Sequence, residues 1–113
     1  MHELAIIEGI LEIVEGAAQK HGAASASRIK LRLGAFTGVV REALEFSFEA
    51  VRAGTVAEHA KLEIEIIPLR KYCRNCARVF ESDGELSLLC PVCRLPVEII
   101  AGREMQIEYI DLE

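Results

Sequence analysis

The sequence is poor in aromatic residues and has no long apolar run. Its 113 residues include no Trp, four Phe and two Tyr, so aliphatic side chains must fill the core. No apolar stretch approaches the roughly 20 residues of a membrane-spanning helix. The amino terminus lacks a basic segment followed by an apolar one, which argues against a signal peptide. We therefore expect a cytoplasmic protein without membrane contacts.

Positive charge is also scarce. The formal net charge of −5 argues against a chain that coats nucleic acid or an anionic membrane. The length suits one modest domain, or a small domain with an insertion. Because thiols stay reduced in the cytoplasm, paired cysteines indicate metal ligands rather than disulfides.

Hydrophobic periodicity predicts two helices and three strands. The helices are expected from Leu4 to about Lys20 and from about Val39 to Ala53. Alternating apolar and polar residues predict strands at Arg28 to Leu33, Lys61 to Pro68 and about Arg103 to Leu112. The residues predicted to face inward in the second strand are Leu62, Ile64 and Ile66.

The order of these elements predicts an α+β fold. Two helices would cover one face of a three-stranded sheet, and a zinc-ribbon-like subdomain with four cysteines would be inserted before the last strand. The main domain is expected to comprise residues 1–68 and 102–113, and the insert residues 69–101. Few apolar residues lie in the insert, so a bound metal would have to replace a core.

Four cysteines form two matched pairs, Cys73-Arg-Asn-Cys76 and Cys90-Pro-Val-Cys93. Each pair can place two thiolates on one side of a tight turn, and two such turns complete a tetrahedral Zn(II) site. The segment between the pairs is expected to form two strands joined by a turn at Asp83-Gly84. With four thiolates and no open position, the zinc would be structural.

Two other uses of the cysteines must be considered. A redox dithiol would need one pair at a helix start, not two matched pairs. A rubredoxin-like iron site for electron transfer also uses four cysteines, but such turns usually carry Gly where this chain has Ala77 and Arg94. Zinc is therefore favoured over iron.

The insert is locally basic. Its cations could offset the negative charge of a zinc–tetrathiolate unit, or could bind nucleic acid as in some zinc ribbons. Nearby acidic residues, the scarcity of stacking aromatics and the acidic remainder of the chain argue against nucleic acid. The cations concerned are Arg70, Lys71, Arg74, Arg78 and Arg94.

The chain opens with Met1-His2-Glu3, which can chelate a planar metal ion. The α-amine of Met1 and the backbone nitrogen of His2 close one ring, and that nitrogen and the His2 imidazole close another. The backbone nitrogen of Glu3, or a water, can complete the set. Planar nitrogen ligands favour Ni(II) or Cu(II). In the alternative interpretation no metal is bound: His2 is an ordinary polar terminal residue, and the negative charge of Glu3 complements the helix dipole.

The chain resembles the HypA/HybF nickel-insertion proteins over essentially its whole length. The features that carry the resemblance are the opening Met1-His2-Glu3-Leu4, Glu12-Ile13-Val14, the helix from Glu42 to Glu49, and both cysteine pairs with Cys90-Pro91. Where relatives often carry Pro before Glu42, this chain has Val40-Arg41, which weakens the predicted start of the second helix.

The resemblance implies a nickel metallochaperone for maturation of [NiFe]-hydrogenase, in some organisms also of urease. Nickel would be held by Met1, His2 and Glu3, with His2 essential, and zinc by the four cysteines. The implied partners are a nickel-inserting accessory GTPase and the precursor of the hydrogenase large subunit. We expect a monomer or weak homodimer.

No enzymatic site is expected. No Ser/His/Asp or Cys/His set remains once the cysteines are assigned, and His21 and His59 are interpreted as surface residues. The alternative hypothesis is a zinc-ribbon module that binds nucleic acid or protein through Arg74, Arg78 and Arg94.

Overall fold

The structure is a computed structural model that describes residues 3–82 and 87–113. It contains helices α1 (Glu3–Lys20) and α2 (Arg41–Val51) and a short 3₁₀ turn (Ala35–Thr37). The six strands are β1 (Ala26–Gly34), β2 (Lys61–Ile67), β3 (Leu69–Cys73), β4 (Arg78–Ser82), β5 (Glu98–Ala101) and β6 (Met105–Leu112). None of the helices described is both long and apolar enough to cross a membrane.

The described residues form two compact units. The first contains residues up to 32, 39–65 and 106–113, and the second contains residues 33–38 and 66–105. Residues 33–38 include the end of β1 and the 3₁₀ turn, so the second unit is assembled from two separate stretches of chain. All four cysteines belong to it.

In the first unit, α1 and α2 contact each other and bury apolar faces. Helix α1 buries residues at spacings of three and four, as the periodicity predicts, and α2 buries Leu44 and Phe48. β1 is the middle strand of a sheet ordered β2-β1-β6. The buried residues of α1 are Ile7, Ile10, Leu11, Val14 and Ala18.

The polar face of this sheet carries ion pairs between strands. Arg28 lies 3.3 Å from Glu63, and Lys30 lies 3.7 Å from both Glu65 and Glu108. The basic residues of β1 and the acidic residues of β2 therefore lie on the same face of the sheet. Exposed pairs of this kind contribute little free energy individually, but they favour one strand register.

In the second unit, β3 is the middle strand of a sheet ordered β4-β3-β5. β3 pairs antiparallel with both neighbours, from Leu69↔Ser82 to Cys73↔Arg78 on one side and at Tyr72↔Glu98 on the other. Few apolar side chains are buried here, as predicted: Val79, Leu88, Leu89 and Val92 are all exposed.

The α+β class, the two helices and a three-stranded sheet are therefore confirmed, whereas several details differ. α2 begins at Arg41, after Val40, rather than near Val39. In β2, Ile66 is 41% exposed and Ile67 only 7%, so the prediction that Ile66 faces inward is wrong. The alternation reverses where the chain passes from the first unit into the second, at residue 66.

The hairpin observed in the insert differs from the predicted one. It is formed by β3 and β4 and encloses the first cysteine pair, and among the described residues between the two pairs β4 is the one strand. The second pair is closed instead by a single bridge between Leu89 and Pro96. The predicted turn at Asp83-Gly84 lies outside the described residues.

Candidate metal centre

The four cysteines lie at the tips of two turns in the second unit. Cys73 ends β3 and Cys76 lies in the turn that leads to β4. Cys90 and Cys93 lie in a second turn, which is closed by hydrogen bonds from the Cys90 N–H to the Leu95 carbonyl (2.8 Å) and from the Arg94 N–H to the Cys90 carbonyl (2.9 Å).

The sulfur atoms converge. All four Sγ atoms lie within 4.8 Å of one another, with Cys73–Cys93 at 3.6 Å and Cys76–Cys90 at 3.9 Å. A tetrahedral site with Zn–S bonds of about 2.3 Å requires S···S separations of about 3.8 Å. None of the four is in a disulfide. The donor set therefore fits one tetrahedral ion without rearrangement.

Backbone N–H groups point at the sulfurs. The Cys76 N–H donates to Cys73 Sγ at 3.4 Å, and the Val92 and Cys93 N–H groups donate to Cys90 Sγ at 3.4 and 3.5 Å. Such donors stabilise a thiolate over a thiol. The turns thus bring the four sulfurs together and direct N–H donors at Cys73 and Cys90.

The surroundings of the cysteines shift their pKa values in opposite directions. Burial raises the pKa of Cys90, but N–H donation from Cys93 and Val92 outweighs this and lowers it to about 6. The Leu95 backbone N–H lowers the pKa of Cys93. Burial, reinforced by the neighbouring sulfurs, raises the pKa of Cys76 to about 12. Four thiols this close cannot all ionise without a cation among them.

Ala77 and Arg94, the residues that follow the two pairs, adopt left-handed backbone conformations, with φ of 52° and 66°. Glycine is the residue that normally fills such positions. The turns therefore have the backbone that favours Gly in rubredoxin-like proteins, although the chain places Ala and Arg there. The residue types at these positions do not by themselves separate zinc from iron.

Three of the five basic residues around the site have a polar partner within the unit. Arg70 pairs with Glu81 at 3.0 Å, and Arg74 pairs with Glu98. Lys71 is only 5% exposed, and its ammonium donates to the Ser87 carbonyl at 2.9 Å. Arg78 and Arg94 are exposed, and the Arg78 guanidinium lies 5.3 Å from the centre of the Phe80 ring.

The structure describes one of the three predicted nickel-binding residues. Met1 and His2 lie outside the described residues. Glu3 is the first residue of α1, and its carboxylate accepts a long hydrogen bond of 3.5 Å from the Val40 N–H, immediately before α2. His21 and His59 are exposed, and the His59 imidazole lies 3.7 Å from the Glu58 carboxylate. Among the residues described, the four cysteines are the only cluster of three or more potential ligands.

The chain is similar to one protein family over nearly its full length. The family described as "Hydrogenase/urease nickel incorporation, metallochaperone, hypA" matches residues 1–112. A hydrogenase maturation factor HypA from Roseiflexus sp. (strain RS-1) is 41% identical over 114 residues, which cover 100% of this chain and 93% of the relative. The protein of the same name from Paracoccus denitrificans (strain Pd 1222) is 42% identical over 115 residues, covering 99% of each.

Solved structures show the same fold. The solution structure of the Ni metallochaperone HypA from Helicobacter pylori superposes with a TM-score of 0.70 at 24% identity, over 99% of this chain and 97% of that one. A second solution structure, of a HypA protein, gives a TM-score of 0.73 at 23% identity, over 100% of this chain and 97% of that one.

Proposed function

The chain belongs to the HypA family of hydrogenase/urease nickel-incorporation metallochaperones, and from that premise we propose that it carries Ni(II) to a hydrogenase under maturation. The match over residues 1–112, which takes in the Met1-His2-Glu3 opening, is the observation that carries this proposal. Nickel is the cargo, and the protein catalyses no reaction. Delivery to urease as well is the broader form of the same proposal.

In this proposal the nickel ligands come from the first three residues. The Met1 amine, the His2 backbone nitrogen and imidazole, and the Glu3 backbone nitrogen supply the donors. α1 begins at Glu3, so the Glu3 N–H has no acceptor within the helix. The Glu3 carboxylate contacts the Val40 N–H. Both facts favour a contribution from the Glu3 backbone rather than from its carboxylate.

We assign structural zinc to Cys73, Cys76, Cys90 and Cys93. The support is the close agreement between the sulfur separations and a Zn–S tetrahedron. When bound, the ion would cross-link two turns of a unit that buries little apolar surface. The four cysteines would hold it with their sulfurs, and backbone N–H groups donate to Cys73 and Cys90. As expected from the sequence, we propose that the inserted zinc-binding subdomain comprises residues 69–101.

The proposed partners are an accessory GTPase that inserts nickel and the precursor of the hydrogenase large subunit. A terminal site suits a carrier, because few ligands hold the ion and a receiving protein can reach it. Since delivery must occur before the hydrogenase is assembled, we place the protein where that precursor is made, in the cytoplasm. A monomer or weak homodimer is sufficient for this role.

Calorimetric titration of Ni(II) into untagged, zinc-loaded protein with a native Met1 tests the proposal. Wild type should bind about one equivalent, and a His2→Ala variant should not bind at that site. His21→Ala and His59→Ala are matched controls, because both histidines are exposed and outside any ligand cluster of the described residues. Equal binding by wild type and His2→Ala would remove the nickel assignment.

The nucleic-acid alternative and the iron alternative are tested on the same samples. Salt-dependent binding of an oligonucleotide that is lost in Arg78→Gln would favour a zinc-ribbon module. Iron in metal analysis, with red colour, would indicate an electron carrier. A colourless protein with one zinc and no oligonucleotide affinity is the expected result.

A further inference from the structure

A groove runs between α1 and the end of α2 in the first unit. It is open to solvent and has a volume of about 570 Å³. Leu11, buried, and Val51, half-buried, form its apolar base, whereas Glu8, Glu12 and Glu15 line it with exposed carboxylates. The groove is distinct from the cysteine centre, which belongs to the second unit.

The three carboxylates form a stripe along α1. Their spacing of four and three residues places them on one side of the helix, where like charges repel. Within the described part of the chain, none of them has an ion-pair partner, although Glu15 accepts a hydrogen bond from the Val56 N–H at 3.3 Å. By contrast, Glu63 and Glu65 on the sheet are paired with cations.

The wall of the groove also contains Gly16. Glycine inside a helix is unfavourable relative to alanine. Nothing in the described structure lies within 4 Å of the position that a Cβ of Gly16 would take, so packing within the chain does not require glycine there. A missing side chain on a groove wall lets another backbone approach closely.

We propose that this groove binds a basic amphipathic helix of a partner protein. The apolar base would accept aliphatic side chains at helical spacing, and the carboxylates would pair with Lys or Arg on their flanks. The same carboxylates would repel nucleic acid and an anionic membrane surface. The contact requires no metal, so it goes beyond nickel delivery and does not rest on it.

A synthetic helix provides the probe. We would titrate the full chain into a short fluorescent peptide with Leu at helical spacing and Lys on both flanks, and follow fluorescence anisotropy. A second peptide with Glu in place of each Lys is the control. We expect the Lys peptide to bind saturably and the Glu peptide not to bind. Added salt should weaken the binding of the Lys peptide. Amide NMR shifts on the labelled chain should centre on Leu11, Gly16 and Val51.

Two pairs of variants locate the contact. Gly16→Leu fills the groove and should weaken peptide binding by about tenfold or more. Gly9→Leu is its control, because Gly9 is another open glycine of α1 that does not line the groove. Glu12→Gln should weaken binding by about twofold to fivefold, the scale of one exposed ion pair. Glu42→Gln on α2 removes the same charge away from the groove and should have no effect.

Three results would contradict the groove proposal, and none of them bears on the nickel proposal. No saturable binding of the Lys peptide, equal binding of the Glu peptide, or full binding by Gly16→Leu would each overturn the proposal. Because the titrations contain no nickel, such a result would leave the proposed nickel site untouched. Failure of the nickel titration would equally leave the groove untouched.

Discussion

A β-carbon on Gly34 would lie only 2.0 Å from the carbonyl oxygen of Gly102. The two glycines join the two stretches of chain that make the second unit. The Gly34 N–H donates to the Glu104 carbonyl at 2.7 Å, and the Phe36 N–H donates to the Gly102 carbonyl at 2.8 Å. Gly102 itself has φ of 111° and lies against the backbone of Leu69. This contact leaves no room for a side chain on Gly34.

Gly34→Ala should therefore be strongly destabilising. The added methyl must displace backbone atoms rather than a flexible side chain, which costs about 3 kcal/mol. The measurement is the free energy of unfolding in urea. Gly9→Ala is the control, because that position is open and helical, and it should be stabilised by about 0.5–1 kcal/mol. A Gly34→Ala protein as stable as wild type would show that the contact is not formed.

Cys76→Ser should abolish binding of the proposed zinc ion and loosen the second unit. A hydroxyl is a poor substitute for a thiolate ligand, and little buried apolar surface remains to hold the turns together. Zinc content by metal analysis and hydrogen exchange of β3 and β4 report the two effects. Val92→Ser, an exposed position inside the other turn, should keep both wild-type values. Unchanged zinc in Cys76→Ser would contradict the ligand assignment.

Arg52→Lys should destabilise the first unit by about 2 kcal/mol. The Arg52 guanidinium bonds the Glu58 carbonyl at 2.8 Å, Glu49 at 2.6 Å and the Ala60 carbonyl, and lies 4.3 Å from the centre of the Phe48 ring. The ammonium group of a lysine cannot donate to all three of these oxygen acceptors and contact the ring at the same time.

Thermal unfolding measures the loss, and Arg41→Lys provides the comparison. Arg41 makes an exposed pair with Glu45 at 3.8 Å, so its change should cost less than about 0.5 kcal/mol. Similar losses in both variants would mean that the contacts of Arg52 contribute nothing specific.

Affinity for the proposed Ni(II) cargo should begin to fall below about pH 8 and fall further below about 6.5, because the reference pKa values of an α-amine and an imidazole are about 7.7–8.0 and about 6.5. A protonated His2 ring has no lone pair for the metal, so protons compete with nickel on the acidic side. Calorimetry at neutral and mildly acidic pH, with His59→Ala as control, measures the effect. An affinity that does not change across this range would exclude His2 as a ligand.

The sequence predicted the elements better than it predicted how they are joined. Periodicity is a local signal, and it located α1 and β1 to within two residues. The shift of the buried position from Ile66 to Ile67 could not be predicted from alternation, because both residues are Ile and the pattern does not distinguish them. It coincides with the passage of the chain from the first unit into the second. The assignment of residues 33–38 to the second unit had no signal in sequence either: the contact of Gly34 with Gly102 spans 68 positions of the chain.

The cysteine centre was predictable because spacing alone constrains it. Two CxxC pairs specify two turns with converging sulfurs, whatever the intervening segment does. The position of the hairpin was not predictable, since it depends on pairing between Cys73 and Arg78 across the first turn. The left-handed backbone at Ala77 and Arg94 was also hidden, because neither residue type signals it.

The order of strands in the first sheet has a consequence for synthesis on the ribosome. β1, in the middle, pairs with β6, although 70 residues, 35–104, separate the two strands. Strand pairing at such separation is slow and must wait for the later strand. All four cysteines are translated before β6. The nascent chain therefore presents all four cysteines of the proposed zinc site while its first sheet is still open along one edge.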